Sequence, residues 1–228
     1  MEYKNIEQAK FIDRPNRFIA HIEISGKFEI CHVKNTGRCE ELLISGAMIF
    51  VQEHDNENRK TKYDLISVYK GDRLINIDSQ IPNKVFAEWV RESNLFSGDA
   101  LIKPEATYGN SRFDFYIEDG DHKTFVEVKG VTLEENGIAM FPDAPTERGV
   151  KHLEELCRCV DAGYEAYAVF IIQMDSIRYF TPNIKMHKAF GDALCIAQQK
   201  GVNVIALDCA VTEYSITVKD YVKVKLNP

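Results

Sequence analysis

The sequence predicts an α/β protein in which a small β-barrel of the oligonucleotide-binding (OB) type precedes a second domain with a mixed sheet. Three observations indicate this fold. Short β segments closed by turn residues fill residues 18–77, helical spacing of apolar residues begins only after Ile81, and helices then alternate with strands. We place the domain boundary near residue 81, with domains at 1–80 and 81–228.

The first domain is predicted to contain five strands and one short helical segment. The strands are RFIAHIEI, KFEICHV, AMIFVQEH, YDLISVY and RLINID, separated by turns such as Ser25-Gly26 and Asn35-Thr36-Gly37 and by a polar run. The helical segment is expected at residues 38–43. Five strands fit an OB-like barrel. Strand count alone leaves open a β-sandwich extension that only packs against the rest of the protein and binds no ligand.

The second domain is predicted to begin with the helix NKVFAEWVRES, in which Val85, Trp89 and Val90 recur at helical spacing. The strands RFDFYIE and TFVEVKG follow, and then the extended piece GIAMF, a helix at about 146–162 and the apolar strand EAYAVFII. A last helix, KMHKAFGDALCIAQQKG, leads into the strand VNVIALD. This order predicts a mixed sheet.

Composition limits the classes of function. The formal net charge of −7 argues against binding nucleic acid through the overall field, so contact with a polyanion must come from local basic patches. The six cysteines form no CxxC pair, which predicts reduced thiols rather than zinc or disulfide frameworks. No signal peptide or membrane-length apolar run is visible, so we expect a cytoplasmic protein with no membrane partner.

Two carboxylates and a lysine are predicted to converge on one hairpin within SRFDFYIEDGDHKTFVEVKG. An Asp-Gly signal marks the turn. A two-residue loop there sets Asp114 opposite Phe125, and a four-residue loop sets it opposite Glu127. Either register puts Asp114, Glu127 and Lys129 on one face of the sheet. The other face is then apolar and belongs in the core, with Phe113, Phe115, Val126 and Val128.

This set of side chains suits a divalent-metal site. Mg²⁺ binds oxygen ligands from one or two carboxylates and keeps several waters, and Lys129 would position a water or stabilise developing charge. Glu105, just upstream, supplies a further acid. The same spacing also arises by chance as an exposed cross-strand ion pair, and spacing alone leaves that alternative open.

A polar stripe is predicted on the helix after the hairpin. Arg148, His152 and Glu155 recur at i, i+4 and i+7, beside the apolar side of the helix. Arg148 could grip phosphate, and His152 could hydrogen-bond phosphate or relay a proton. A solvated helix face would give the same pattern.

Basic residues, amides and a glycine cluster at strand ends in the first domain. Arg14, Arg17, Asn35 and Arg38 are candidates for a phosphate-binding loop, although Asn-Thr-Gly is also an ordinary turn. Arg112, next to the hairpin acids, is a further candidate for contact with nucleic acid.

Taken together, these stretches resemble the sugar fermentation stimulation protein A (SfsA) family over almost the whole chain. The resemblance rests on RPNRF (14–18), HVKNTGRCEELL (32–43), YGNSRFDF (108–115), EVKGVTL (127–133) and FPDAPTERGVKHLEEL (141–156). It implies an OB-like domain followed by a PD-(D/E)xK domain, the fold of restriction endonucleases. It also implies DNA binding and a link to the regulation of sugar metabolism, especially of maltose.

The resemblance assigns roles by position. Asp114 matches the first acid of the PD-(D/E)xK motif, Glu127 its second acid and Lys129 its lysine. Phe113 stands where the proline that names the motif would be, and that proline is dispensable in the wider superfamily. Arg148 and His152 fall where related nucleases carry polar residues.

The sequence is compatible with two functions. The first is a DNA-binding protein with a nuclease-type site that uses Mg²⁺ or Mn²⁺, held by Asp114 and Glu127. The second is a non-enzymatic DNA-binding regulator that retains a nuclease fold. The intact acid, acid and lysine set favours the first, and the absence of a helix-turn-helix signature weakens a simple repressor. A sugar-handling enzyme with two catalytic carboxylates would explain neither Lys129 nor the arginine-rich loops.

Overall fold

The structure is a computed structural model that describes residues 1–35, 37–56, 58–109 and 111–226. Thr36 of the predicted turn, Glu57 of the predicted polar run and Asn110 of the YGNSRFDF stretch lie outside these ranges. No helix in the described ranges is long and apolar enough to cross a membrane.

Six strands in the first part of the chain form one sheet, and five of them close into a barrel. They are β1 (Ile6–Asn16), β2 (Ile19–Ile24), β3 (Lys27–Val33), β4 (Met48–Glu53), β5 (Tyr63–Lys70) and β6 (Arg73–Asn76). The order is β3-β2-β1-β4-β5-β6, and a parallel pairing of β3 with β5 closes the ring. β6 extends the sheet from β5. The predicted OB-like barrel is confirmed, and the β-sandwich alternative is not what forms.

Two features of the barrel differ from the sequence prediction. β1 was not predicted, because only Ala9 and Phe11 of its residues are buried and the alternating pattern is too short to detect. The helical segment expected at 38–43 is a single turn, in which the N–H groups of Leu42 and Leu43 both donate to the carbonyl of Cys39. Cys39 has φ 49°, a left-handed conformation that a helix cannot continue through.

The described residues after the barrel form a six-stranded mixed sheet with three helices and a small separate sheet. The helices are α1 (Pro82–Glu92), α2 (Glu147–Asp161) and α3 (Lys188–Gln199). The strands are β7 (Leu101–Tyr108), β8 (Ser111–Asp119), β9 (His122–Val131), β10 (Leu133–Glu135), β11 (Ile138–Phe141), β12 (Glu165–Ile172), β13 (Tyr179–Pro182), β14 (Asn203–Val211) and β15 (Ile216–Val222). The large sheet has the order β15-β14-β12-β9-β8-β7, and β12 runs parallel to both β9 and β14. The mixed sheet is confirmed.

Helices cover both faces of the large sheet. On one face α1 packs Phe86 against Phe115, with ring centroids 5.1 Å apart. On the other face α2 contributes Leu153 and Leu156 to a cluster that includes Phe125. Central strands are consequently buried on both sides, which explains why β12 reads as a continuous apolar run rather than an alternating one.

Four strands of this part were not predicted: β7, β10, β13 and β15. β7 and β15 are the two edges of the large sheet, and most of their residues are at least partly exposed. β7 also contains Pro104, which a sheet accepts only at an edge or a bulge. Edge strands give a weak periodic signal because neither face is fully buried.

Buried polar groups join the barrel to the second domain. Asn76 donates from Nδ2 to the hydroxyl of Tyr3 at 2.9 Å, and Gln173 donates from Nε2 to Oδ1 of Asn76 at 2.9 Å. Tyr3 precedes the barrel in sequence but packs in the core of the second domain, and burial raises its pKa. The chain therefore crosses the junction twice, once before β1 and once after β6.

Asp64 is a buried carboxylate in the barrel, and its side chain is 3% exposed. It contacts four basic side chains: His32 at 3.3 Å, Lys34 at 3.4 Å, His54 at 2.9 Å, and Arg59. Burial acts to raise the pKa of Asp64, but the charges of Lys34, Arg59 and His54 outweigh it, and the pKa is lowered. Lys34 also binds Asp78 at 2.7 Å, which ties this cluster to the domain junction.

We predict that Asp64→Asn lowers the free energy of unfolding by about 3 kcal/mol at pH 7, because it leaves the largely buried Lys34 with one fewer counter-charge. Since the pKa of Asp64 is lowered in the folded state, its contribution is present above the ordinary aspartate pKa of about 4 and is lost as the pH falls below it. Urea unfolding across this pH range should show the difference between variant and wild type shrinking in acid. The exposed Asp72→Asn is the control, and an equal loss at every pH would contradict the charge argument.

Candidate active site

Asp114 lies where β8 separates from β9. The pairing of the two strands runs from Asp119 opposite His122 to Phe115 opposite Val126 and stops there. Beyond that point β8 continues only with β7, and β9 continues only with β12. Oδ2 of Asp114 accepts the backbone N–H of Val128 at 2.8 Å. The Asp114 carboxylate therefore fills the fork between the strands.

The observed register decides between the two predicted alternatives. Asp119 pairs with His122, so the loop has two residues, Gly120 and Asp121, rather than the four predicted for this register, and Gly120 has φ 59°. Continued past the last pair, this register sets Asp114 opposite Glu127. The alternative that set Asp114 opposite Phe125 is wrong, because Phe125 pairs with Tyr116.

The predicted apolar face was wrong in one respect. Phe115, Val126 and Val128 share the core beneath α1, but Phe113 belongs to the core beneath α2, where its ring centroid lies 5.5 Å from that of Phe125. β8 stays paired with β7 along this stretch, but its pairing with β9 ends at Phe115. The alternation of side chains between faces fails at the fork, which lies between Phe113 and Phe115.

Glu127 is the centre of the cluster, and its side chain is 5% exposed. Its Oε1 accepts from Nζ of Lys129 at 2.5 Å and also contacts Nδ1 of His152. Its Oε2 is buried and has no hydrogen-bond partner among the residues that the structure describes. One oxygen of Glu127 is thus fixed by two basic groups, and the other is left open.

His152 connects Glu127 to Arg148. Nε of Arg148 donates to Nε2 of His152 at 3.3 Å, so Nε2 is the acceptor and Nδ1 carries the proton that faces Glu127. The two residues share one edge of α2 at the predicted i, i+4 spacing, and Thr146 caps the start of the helix because its hydroxyl accepts the N–H of Gly149. Both ring nitrogens of His152 have hydrogen-bond partners. This geometry favours a role in orienting Glu127 rather than in relaying a proton.

Asn83, which the sequence did not single out, holds Asp114. It lies in the first turn of α1 and donates from Nδ2 to Oδ1 of Asp114 at 2.8 Å. Its only sequence signal was the Ile81-Pro82-Asn83 helix start. α1 and α2 therefore approach the two acids from opposite faces of the sheet.

The two acids have opposite pKa shifts. Burial, and then the charge of Glu127, raises the pKa of Asp114, although bonds from Val128 and Asn83 partly offset this. Burial also acts to raise the pKa of Glu127, but the hydrogen bond from His152 and the charge and hydrogen bond of Lys129 outweigh it, and the pKa is lowered. Neighbouring carboxylates whose pKa values are pushed apart are typical of functional sites.

The residue after Lys129 is packed too closely to carry a side chain. A Cβ on Gly130 would lie 2.6 Å from Oε1 of Gln173 and 2.7 Å from Cγ of Pro82. Gln173 is buried at the end of β12 and is tied to the domain junction through Asn76. A polar residue directly after an eight-residue apolar strand was the signal that could have identified it.

Several predicted site residues lie outside this cluster. Glu105 and Arg112 pair with each other at 3.2 Å, and their side chains are 68% and 64% exposed. Glu155 is buried but lies further along α2, where it pairs with Arg158 at 2.5 Å. The structure does not bring these residues to Glu127.

Arg14 is occupied by the backbone. Its terminal nitrogens donate to four carbonyl oxygens at 2.6–2.7 Å, those of Arg17, Asn35, Gly37 and Arg38. Asn35 is likewise used locally, because its Oδ1 accepts the N–H of Gly37. Arg14 and Asn35 therefore shape the predicted phosphate-binding loop, while the side chains of Arg17 and Arg38 are exposed.

This loop of the barrel lies against the second domain. The carboxylate of Asp143 sits so close to Gly37 that no Cβ would fit there. Asp143 belongs to the segment that leads into α2, which carries Arg148 and His152. The barrel loop and the start of α2 are consequently neighbours.

In the described part of the chain, no three or more His, Cys, Asp or Glu side chains are grouped so that they could hold a metal ion. The predicted ligand set is smaller, a pair of carboxylates, and Mg²⁺ completes such a set with waters and phosphate oxygens.

Two family models match the chain. One, described as the SfsA N-terminal OB domain, matches residues 12–77, and the other, described as the sugar fermentation stimulation protein RE domain, matches residues 80–215. The chain belongs to the SfsA family. The predicted family membership is thereby confirmed.

Individual SfsA relatives match over nearly the whole length. The sugar fermentation stimulation protein homolog of Desulfitobacterium hafniense (strain Y51) is 67% identical over 226 residues, 99% of each chain. That of Clostridium beijerinckii is 60% identical over 99% of this chain and 100% of its own. The solved structure of Pyrococcus furiosus SfsA in complex with Ca²⁺ is 28% identical with a TM-score of 0.86, covering 99% of this chain and 98% of that one.

We predict that Gly130→Ala destabilises the protein by about 1–3 kcal/mol, because the added Cβ collides with two groups that cannot easily move. Gly98→Ala is the matched control, since no atom lies within 4 Å of its would-be Cβ and its φ is not positive. Denaturant unfolding of both variants measures the effect. Equal stability of the two would show that Gln173 and Pro82 are not fixed against Gly130.

Proposed function

We propose that this SfsA protein is a cytoplasmic DNA-binding protein with a divalent-metal-dependent phosphodiesterase site at Asp114, Glu127 and Lys129. The observation that carries the proposal is Oε2 of Glu127, a buried carboxylate oxygen without a hydrogen-bond partner in the described residues. Leaving such an oxygen unsatisfied is costly, and a cation at this position would remove the cost. Asp114 lies near enough for the charge of Glu127 to raise its pKa, so it could share such a cation.

The residues present fit Mg²⁺ or Mn²⁺. Asp114 and Glu127 would supply carboxylate oxygens, which hard cations prefer. Lys129 and His152 hold Oε1 of Glu127 and so leave Oε2 oriented. Support also comes from the Pyrococcus furiosus relative, whose structure was solved in complex with Ca²⁺, another hard cation.

When bound, such a metal polarises the scissile phosphate and acidifies a water. The chain contributes the rest. Asn83 and the N–H of Val128 orient Asp114, and His152 orients Glu127. Lys129 places an ammonium beside the two acids, where it would stabilise negative charge that develops on the phosphate. Arg148, exposed at the start of α2, would contact a non-bridging phosphate oxygen.

The second candidate is a non-enzymatic DNA-binding regulator. One observation favours it: Lys129 and His152 already lower the pKa of Glu127 and hold its charge without any metal. A scaffold of this kind would explain a role in regulating sugar metabolism, which the name of the relatives suggests. In the first candidate Lys129 stabilises charge during phosphodiester cleavage, and in the second it only forms an ion pair with Glu127.

We predict that Mg²⁺ or Mn²⁺ stabilises the wild type. At a metal concentration of about 100 times Kd, linkage contributes about 2.7 kcal/mol, which raises the Tm by roughly 5–10 °C for a chain of this size. Glu127→Gln should lose most of the increase because it removes a charged ligand.

Glu118→Gln, a partly exposed position on the same strand as Asp114, should keep the full increase in Tm. Thermal unfolding with metal and with EDTA measures both variants. An identical metal-dependent rise in Glu127→Gln and wild type would rule out this site.

We predict that Lys129→Met reduces the rate of phosphodiester cleavage by about 10²–10³ while DNA affinity changes only a few-fold, because the ammonium acts mainly in the transition state. Lys103→Met, which removes an exposed lysine of β7, should leave the rate unchanged. The rate is measured on single-stranded, duplex and branched DNA in Mg²⁺ and Mn²⁺. A wild type that binds these DNAs but cuts none of them would support the regulator instead.

A further inference from the structure

Phe18, directly before β2, carries an exposed aromatic ring. Its side chain is 45% exposed, and the guanidinium of Arg17 lies 4.7 Å from the ring centroid. A cation above an aromatic face is attracted to it, and the pair presents flat surfaces to solvent. Flat aromatic and guanidinium surfaces are the groups on which unpaired bases stack.

The backbone that carries Phe18 is held on both sides. Oδ1 of Asn16 accepts the N–H groups of Phe18 and Ile19 at 2.9 and 3.1 Å. The N–H of Val33 donates to the carbonyl of Phe18 at 2.8 Å, and Arg14 holds the carbonyl of Arg17. A ring presented by a fixed backbone loses little conformational entropy when a ligand stacks on it.

Arg17, which lies over this ring, also lines a depression of about 270 Å³. Three arginines, Arg14, Arg17 and Arg38, and one acid, Glu40, are among the residues that line it. Arg14 is engaged with carbonyl groups, so Arg17 and Arg38 supply the exposed positive charge. This charge fits a polyanion better than an apolar protein surface.

One edge of the depression contacts the second domain. Gly37, one of its lining residues, abuts Asp143 in the segment that leads into α2. A strand lying in the depression would pass towards Arg148 and the fork at Asp114. The contact between Gly37 and Asp143 therefore joins the edge of the depression to the segment that leads to Arg148.

We propose that Arg17, Phe18 and Arg38 form a binding site for single-stranded DNA, in which an unpaired base stacks on the Phe18–Arg17 pair and the arginines contact the adjacent phosphates. The proposal rests on the proposed DNA-binding function and names its substrate class. A duplex cannot use the ring, since its bases are already stacked on one another, whereas a single strand offers free base faces.

The test compares Phe18→Ala with Phe28→Ala, which removes another exposed phenylalanine, 60% exposed, from β3 of the same barrel. Binding of a labelled deoxythymidine oligonucleotide and of a closed duplex hairpin is measured in EDTA, so that the metal site plays no part. Phe18→Ala should weaken single-strand binding roughly tenfold and leave duplex binding unchanged. Phe28→Ala should change neither.

Two further measurements separate stacking from charge and from misfolding. Phe18→Ala should keep the wild-type salt slope, while Arg17→Ala should flatten it, because only arginine releases counterions. Phe18→Trp should bind like the wild type and show fluorescence quenching on adding the oligonucleotide. The single natural tryptophan, Trp89, packs between Phe86 and Tyr221 on α1 and provides the baseline signal.

Equal affinities of Phe18→Ala and Phe28→Ala for the single strand would overturn this proposal, as would equal weakening of single-strand and duplex binding by Phe18→Ala. Either result would leave the proposed DNA-binding function in place, since the wild type would still bind DNA. A wild type that binds neither probe would overturn both.

Discussion

The hydrogen bond from the Val128 N–H to Asp114 takes the place of a backbone pair that the sheet lacks. A buried N–H must find an acceptor, and β8 has already left β9 at this point. The carboxylate closes the fork and leaves its second oxygen for Asn83. Glu127, opposite Asp114, then meets α2 through His152. The whole cluster depends on two helices packing on opposite faces of the same two strands.

Local signals sufficed to predict the hairpin, its two acids and its lysine, because a turn dipeptide and alternating side chains act over a few residues. They could not predict the fork, since the end of a pairing depends on which other strands compete for it. One competitor, β7, carries Pro104 and exposed residues that conceal it as a strand. Asn83 was missed for a similar reason, because it lies 31 positions before the acid that it holds.

The roles of the arginines in the barrel were also not predictable from the sequence alone. The sequence predicts that Arg14, Arg17 and Arg38 form one basic cluster. In the structure Arg14 donates to four carbonyl groups, whereas Arg17 and Arg38 are exposed. Residue type predicts how many donors a side chain has, but only the folded backbone decides whether they are used internally. The internal use has its own value, since it fixes the loop from which the other two arginines project.

The double crossing of the domain junction has a mechanical consequence. Tyr3 is buried in the second domain, and Asn76 binds both it and Gln173, so the barrel is attached by two chain segments and a buried polar network. These attachments restrict rotation of the barrel against the second domain. They therefore limit how far the barrel can move relative to Asp114 and Glu127. If one DNA strand occupies both places, any cut would fall within a limited range of nucleotides from the base held on the barrel.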